Sequence, residues 1–129
     1  MITARELMTE SPTVVDATAT LKSAIEKLQA LDVRHLPVID NEGQLVGMLS
    51  DRDLRSYANV FPLDASVSSA MSTDVIAVDV EADIAEIIDL MLDNKIGAVP
   101  VLDSDDVLVG IISYVDVLRE LSHEIAAAE

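Results

Sequence analysis

One seven-residue pattern occurs twice in this chain, as GMLSDRD at residues 47–53 and as GIISYVD at residues 110–116. The two copies share glycine, serine and aspartate at their first, fourth and seventh positions. A serine after an apolar run, followed three residues later by an acidic side chain, is typical of the place where a helix begins. The pattern therefore predicts the same strand-to-helix junction at two places in the chain.

The 63-residue offset between these copies extends far beyond them. Residues 8–57 align with residues 71–120 without a gap, and 13 of the 50 aligned pairs are identical. In other pairs one aliphatic residue aligns with a different one, such as Leu21 with Ile84. Such self-similarity at a fixed period indicates an internal duplication. We expect residues 1–58 to form the first repeat, residues 59–65 a linker and residues 66–129 the second repeat.

The hydrophobic pattern predicts the order of elements within each repeat. After a short extended run, apolar residues recur in steps of three and four from Leu21 and from Ile84, which favours a helix. Two apolar runs around a polar turn then predict a hairpin, at 36–49 and at 98–112. Pro37 and Pro100 suit a strand edge or a strand start, because proline cannot donate to a ladder. Each repeat is therefore predicted to be β-α-β-β-α.

About 60 residues bury little surface alone, so we expect the two repeats to pack against each other around a pseudo-twofold axis. The predicted fold class is α+β.

Composition excludes several classes of protein. The formal net charge is −16, and the three aromatic residues offer no stacking platform, which argues against nucleic acid and against anionic membranes. No apolar run is long enough for a transmembrane helix. The chain has no cysteine, which excludes disulfides and zinc–thiolate sites and is compatible with a reducing cytosol. We therefore expect a cytoplasmic protein without nucleic-acid or membrane partners.

The chemistry of the repeated pattern allows two interpretations. Serine at a helix start leaves backbone N–H groups beside its hydroxyl, which suits a phosphate, and a carboxylate can accept from both hydroxyls of a ribose. The competing interpretation is a capping box, in which both side chains only satisfy the N–H groups of the helix. The two roles are compatible, because serine can cap the helix while aspartate faces a ligand.

The doubled pattern, with residues 7–9 and 33–40 and their equivalents 70–72 and 96–103, resembles a tandem pair of CBS domains, or Bateman module. The resemblance covers about residues 3–122. It implies that the two repeats pack through their sheets and leave two clefts between them. These clefts would bind adenine-containing ligands such as AMP, ADP, ATP or S-adenosylmethionine. It also implies a homodimer of four repeats. By this resemblance, Ser50 and Asp53 serve one cleft, and Ser113 and Asp116 serve the other. Residues lining the clefts would include Arg34 and His35, while the segments around Thr13 and Ile76 would approach the base.

The basic residues are unevenly divided between the repeats. Residues 1–64 carry 6 Lys+Arg against 10 Asp+Glu, whereas residues 65–129 carry 2 against 14. Arg34, His35 and Arg52 align with uncharged residues of the second repeat. Because arginine is the usual partner of a phosphate, we expect the Asp53 cleft to take a phosphorylated nucleotide. The Asp116 cleft would prefer a neutral or cationic adenosyl ligand or stay empty, unless Arg34 or Arg52 reaches across to it.

Three other functions are alternatives to this one. An enzyme is disfavoured, because the sequence has no cysteine nucleophile, no His-x-x-x-His pair and no glycine-rich phosphate loop. A divalent-cation sensor would use the acidic runs at 79–83 and 103–106. A pure interaction module would use apolar positions of the last helix, which could equally belong to the core: Val117, Leu118 and Leu121.

The sequence favours a stand-alone regulatory module that senses adenine nucleotides, without catalysis and without a catalytic cofactor. Mg²⁺ would enter only as a counterion of the nucleotide. The output would run through the oligomeric state of the protein or through a separate effector protein.

Overall fold

The predicted strand-to-helix junctions are present in the computed structural model, which describes residues 1–31, 33–56 and 62–129. These residues form two sheets, five α-helices and one 3₁₀ turn at Val67–Ser69. The helices are α1 (Ala4–Leu7), α2 (Leu21–Leu31), α3 (Asp51–Ser56), α4 (Ile84–Asn94) and α5 (Tyr114–Ala128). The strands are β1 (Thr9–Glu10), β2 (Val15–Asp16), β3 (His35–Ile39), β4 (Leu45–Ser50), β5 (Val78–Asp79), β6 (Ala98–Leu102) and β7 (Leu108–Ser113).

The β-α-β-β-α order is confirmed in both repeats. In the first repeat β2 runs parallel to β3, and β3 pairs antiparallel with β4. In the second repeat β5, β6 and β7 pair in the same way, and every register pair is the first-repeat pair shifted by 63 residues. Polar side chains cap the starts of α2 and α4, since Thr20 Oγ1 accepts from the backbone N–H of Ser23 and Asp83 Oδ1 accepts from that of Ala85.

Each repeat has its own apolar core. Leu36, Val38 and Leu49 are fully buried under α2 in the first repeat, and their equivalents Val99, Val101 and Ile112 are fully buried in the second. No buried polar or charged residue is found among the described residues. The equivalent core positions hold aliphatic side chains in both repeats, so the duplication preserves the packing frame.

The N-terminal segments of the two repeats are exchanged between the compact units. One unit comprises Met1–Ser11 with Ile76–Glu129, and the other comprises Pro12–Val75. Strand β1 pairs antiparallel with β7, with Thr9 opposite Ile111, and the bridge between Ser72 and Met48 is its counterpart in the other unit. Ala4 and Val67, the equivalent residues of these two segments, are both fully buried. Each compact unit thus combines the sheet and helices of one repeat with the N-terminal segment of the other repeat.

The predicted repeat boundaries follow chain order and therefore differ from the compact units. Residues 59–61 of the predicted linker lie outside the described residues, whereas Leu63 and Ala65 accept backbone hydrogen bonds from Lys22 and Leu21. The boundaries at 58 and 66, and the packing of the repeats around a pseudo-twofold axis, stay predictions.

The prediction for the prolines was wrong in part. Pro37 and Pro100 are the third residues of β3 and β6, which lie between two neighbouring strands. A proline is tolerated there because the parallel neighbours are short: β2 pairs only with Val38 and Ile39, and β5 only with Val101 and Leu102. The missing N–H of each proline therefore costs no bond to the parallel strand.

No helix in the described parts of the chain has the length and apolar character needed to cross a bilayer.

Candidate functional site

The Ser-x-x-Asp segments fold as capping boxes at the starts of α3 and α5. In the first repeat the Asp53 N–H donates to Ser50 Oγ over 2.9 Å, and the Ser50 N–H donates to Asp53 Oδ2 over 3.2 Å. In the second repeat the corresponding distances are 3.3 Å from the Asp116 N–H and 2.8 Å from the Ser113 N–H. The capping interpretation is therefore confirmed for both copies.

The capping bonds leave the aspartates able to hold a ligand. They engage Oδ2 of Asp53 and Oδ2 of Asp116, and both side chains are only half-buried. In each repeat the other carboxylate oxygen, Oδ1, takes no part in the capping bonds. A carboxylate that is already anchored through one oxygen presents the second in a defined direction, which lowers the entropic cost of binding.

The two Oδ1 atoms differ in their neighbours. Asp116 Oδ1 lies 3.7 Å from a guanidinium nitrogen of Arg119, whose side chain is 62% exposed, whereas the Asp116 side chain is 17% exposed. An ion pair of this kind is weak, because solvent screens it. Ser56 occupies the position equivalent to Arg119 in the first repeat. Asp116 therefore has a cation beside it, whereas the equivalent position of the first repeat supplies no cation to Asp53.

The hairpin register brings His35 to the first capping box. His35 begins β3 and pairs with Ser50 at the end of β4. The Asp51 N–H donates to the Arg34 carbonyl over 2.8 Å, and the Arg34 side chain is exposed. Arg52 is exposed in the first turn of α3. The predicted first-repeat residues Arg34, His35, Ser50, Arg52 and Asp53 thus converge on one strand-to-helix junction.

The second junction has the same backbone arrangement, but the positions equivalent to Arg34, His35 and Arg52 hold uncharged residues. Ala98 pairs with Ser113, and the Tyr114 N–H donates to the Gly97 carbonyl over 2.9 Å. The Ala98 side chain is buried. Ser113 Oγ makes an additional hydrogen bond by donating to Asp116 Oδ2 over 3.1 Å.

The charge state of His35 depends on its surroundings. Burial is the main cause that lowers the pKa of His35 from its ordinary value of 6.5, and the neighbouring Arg34 lowers it further. Asp53 and Asp51 act in the opposite direction, but their attraction does not overcome the desolvation. His35 is therefore mainly neutral at neutral pH and can both donate and accept a hydrogen bond.

The segments around Thr13 and Ile76 lie at equivalent places. Thr13 is exposed two residues before β2, and Ile76 is half-buried two residues before β5. Thr13 shares a compact unit with Ser50 and Asp53, and Ile76 shares one with Ser113 and Asp116.

One contact near Thr13 was missed from the sequence. Lys27, on α2, donates from Nζ to the carbonyl oxygen of Val14 over 2.9 Å. The second repeat has Leu90 and Ala77 at the positions of Lys27 and Val14. The alignment of the two repeats contained a signal for this contact, because a lysine of α2 aligns with a leucine of α4.

The acidic runs serve as turn and cap structures. Asp103 Oδ1 accepts from the N–H groups of Asp105 and Val107, just as Asp40 Oδ1 accepts from those of Glu42 and Gln44. Asp106 has φ 61°, where the equivalent Gly43 has φ 80°. A search of the described residues finds no group of three or more acidic or histidine side chains that could hold a metal ion.

The three candidate interface residues of α5 have different surroundings. Val117 is buried and Leu121 packs against the core of its own unit, so both contribute to intramolecular packing. Leu118 is 59% exposed. Only Leu118 of this set is therefore available for an intermolecular contact.

The two repeats match a known protein family. A family model described as CBS domain matches residues 4–59 and again residues 67–123. The chain belongs to the CBS-domain family. Hypoxic response protein 1 of Mycobacterium tuberculosis, a CBS-domain relative, is 32% identical over 124 residues, which are 94% of this chain and 86% of the relative.

Solved structures of the family share the fold. The crystal structure of a putative acetoin utilization protein (AcuB) from Vibrio cholerae matches with a TM-score of 0.87 and 34% identity, covering 98% of this chain and 94% of that one. The structure of CBSX2 in complex with AMP matches with a TM-score of 0.83 and 27% identity, covering 95% and 98%.

A longer relative contains the CBS pair as one part. Inosine-5'-monophosphate dehydrogenase of Methanocaldococcus jannaschii is 28% identical over 126 residues, which are 98% of this chain but 25% of the enzyme. The chain thus spans about a quarter of the length of this relative.

Proposed function

We propose that this CBS pair is a regulatory module that binds adenine nucleotides and has no catalytic activity of its own. The observation that carries the proposal is the junction at Ser50–Asp53. There a half-buried carboxylate is anchored through Oδ2 at a helix start, with His35 paired opposite Ser50. AMP is bound in a family structure that is 27% identical to this chain.

The division of charge supports different ligands for the two sites. The unit formed by residues 12–75 has 5 Lys+Arg and 9 Asp+Glu, whereas the unit formed by residues 1–11 and 76–129 has 3 and 15. Their formal charges are therefore −4 and −12, so an anionic ligand meets less repulsion at the first site. The Asp53 site takes a phosphorylated nucleotide such as AMP, ADP or ATP, with Mg²⁺ as a counterion where the phosphate chain requires it. The Asp116 site takes a neutral or cationic adenosyl compound such as S-adenosylmethionine, or stays empty.

Ser50, Arg34, His35 and Arg52 contact the phosphate side of the first ligand, and the Thr13 segment contacts its base. Ser113 and Ile76 hold the corresponding places in the second site. Ligand binding changes the oligomeric state of a cytoplasmic homodimer or the affinity for an effector protein, and this change is the output of the module.

Isothermal titration of AMP, ATP and S-adenosylmethionine into the purified protein tests the proposal. Asp53→Asn is the most informative variant, because the amide oxygen can still accept the Ser50 N–H while the amide nitrogen replaces the oxygen that would accept a ribose hydroxyl. Asp116→Asn makes the same change in the other repeat and serves as the matched control.

The expected result is a loss of AMP affinity of at least about tenfold in Asp53→Asn and less than about twofold in Asp116→Asn. Equal losses in the two variants would disprove the asymmetry. If none of the three compounds binds the unaltered protein, the adenine-nucleotide function itself is wrong.

A further inference from the structure

The hydrogen bond between Lys27 and Val14 gives the first repeat a feature that the second lacks. The Lys27 Nζ donates to the Val14 carbonyl over 2.9 Å in a part-buried setting. Val14 is directly followed by β2, in which Val15 pairs with Val38 of β3. Thr13, which precedes Val14, is exposed and belongs to no helix or strand. Lys27 therefore holds the chain at the point where the regular ladder ends and the candidate base-binding segment begins.

The two helices that carry this position are otherwise alike. Both α2 and α4 have eleven residues, and both bury an apolar face against their sheet. Leu90, the equivalent of Lys27, packs against the core of the second unit. The segment before β5 is thus without a lysine tether, because leucine has no donor. An ammonium-to-carbonyl bond in a part-buried place is directional and stronger than a neutral hydrogen bond, so it restricts the backbone more than an apolar contact does.

We propose that Lys27 is a positioning residue of the first site, which holds the Thr13 segment in the conformation that receives the base of the ligand. This inference rests on the proposed function, since it assigns the Thr13 segment to the binding site. The lysine acts through the Val14 carbonyl. Ordering the segment in advance removes an entropic cost that the ligand would otherwise meet on binding.

The test compares AMP with adenosine, which has the same base and ribose but no phosphate. Lys27→Met keeps the length and apolar stem of the side chain and removes the donor. Lys22→Met is the matched control, because Lys22 is an exposed lysine of the same helix and its loss changes the net charge equally. Lys27→Arg retains a charged donor and serves as the conservative variant.

A positioning role predicts that Lys27→Met weakens AMP and adenosine by the same factor, about tenfold. Lys22→Met should leave both affinities within about twofold, and Lys27→Arg should recover most of the loss. A loss for AMP with no loss for adenosine would overturn the proposal, because it would mean that Lys27 only attracts the phosphate. A lower melting temperature with unchanged affinities would also overturn it, since Lys27 would then be purely structural.

Hydrogen exchange separates this inference from the proposed function. The Val14 and Val15 amides should exchange faster in Lys27→Met than in Lys22→Met, without any ligand present. If the unaltered protein binds neither AMP nor adenosine, the proposed function fails, whatever the exchange rates are. If both ligands bind and the two variants exchange equally, the tether is absent and the positioning role is wrong.

Discussion

In the first repeat the capping serine Ser50 faces His35 across the hairpin, whereas in the second repeat Ser113 faces Ala98. The register, the caps and the backbone bonds are the same in both repeats, but the charged side chains around them are not. The charged and polar side chains at the junctions differ between the repeats, whereas the core strands keep aliphatic residues. Leu36, Val38 and Leu49 have aliphatic equivalents, while exposed Arg34 and half-buried His35 have none of their kind. A duplicated frame can therefore hold two sites with different ligand preferences.

Truncation of the core should affect both repeats strongly and about equally. Leu49 and Ile112 are equivalent, fully buried residues of β4 and β7. Leu49→Ala and Ile112→Ala should each lower the free energy of unfolding by about 3 kcal/mol, because each leaves a cavity in a packed core. Urea denaturation measures both values. A difference of more than about 2 kcal/mol would show that one core collapses around the cavity and the other does not.

Substitution of the glycine of the repeated pattern should destabilise the first repeat more than the second. A Cβ on Gly47 would lie 2.5 Å from Met71 Sδ and 2.9 Å from the carbonyl oxygen of Ser72, whereas the three atoms nearest to a Cβ on Gly110 all belong to the side chain of Met8. A side chain can rotate away, but the Ser72 carbonyl also accepts from the Met48 N–H over 2.9 Å and cannot move freely. Gly47→Ala should therefore cost about 3 kcal/mol and Gly110→Ala about 1 kcal/mol, measured by denaturation. The reverse order would contradict this contrast.

Loss of the capping serines should have a smaller effect. Ser113 Oγ makes two hydrogen bonds with Asp116, as acceptor from its N–H and as donor to its Oδ2, and it caps a helix of 15 residues. Ser113→Ala should cost about 1.5 kcal/mol, and Ser50→Ala, whose hydroxyl accepts the Asp53 N–H, about 1 kcal/mol. Ser→Thr at each position is the control, because threonine keeps the hydroxyl. If the threonine variants lose as much stability as the alanine variants, the cause is packing and not capping.

The pH dependence from His35 should be the smallest effect. Burial lowers the pKa of His35 below 6.5, so the unfolded chain binds more protons than the folded one in the range just below pH 6.5. The stability contributed by neutral His35 is therefore complete above this range and decreases as the pH falls through it. Melting temperatures between pH 8 and pH 5.5 should fall less in His35→Gln than in the unaltered protein.

Exposed His123→Gln serves as the control for this measurement and should follow the unaltered protein. A bound phosphate would raise the pKa of His35, so the difference between the His35 variant and the unaltered protein should shrink in the presence of AMP. An equal pH dependence in all three proteins would exclude His35 as the cause.

Local sequence patterns were sufficient to predict the β-α-β-β-α elements of each repeat and the two strand-to-helix junctions. The steps of three and four from Leu21 and Ile84 predicted α2 and α4, and the seven-residue pattern predicted the capping boxes, because caps depend on residues three apart in the chain. The resemblance to CBS domains implied that Arg34, His35 and Asp53 lie together, and the hairpin register shows why, since β3 begins opposite the end of β4. The role of these residues in binding stays a proposal, as does that of Thr13.

What sequence patterns could not predict depends on contacts between distant segments. The pairing of Thr9 with Ile111 and the burial of Ala4 place residues 1–11 with the second repeat, and no local pattern encodes such a partner. The interior position of Pro37 was missed because the length of β2 decides whether its N–H would be needed. Likewise, a lysine on an amphipathic helix is ordinarily solvated, and only the packing of α2 beside Val14 turns Lys27 into a donor within the fold. The 63-residue repeat thus specified two copies of one unit, while backbone hydrogen bonds and burial over long sequence separations specified which segments complete each copy.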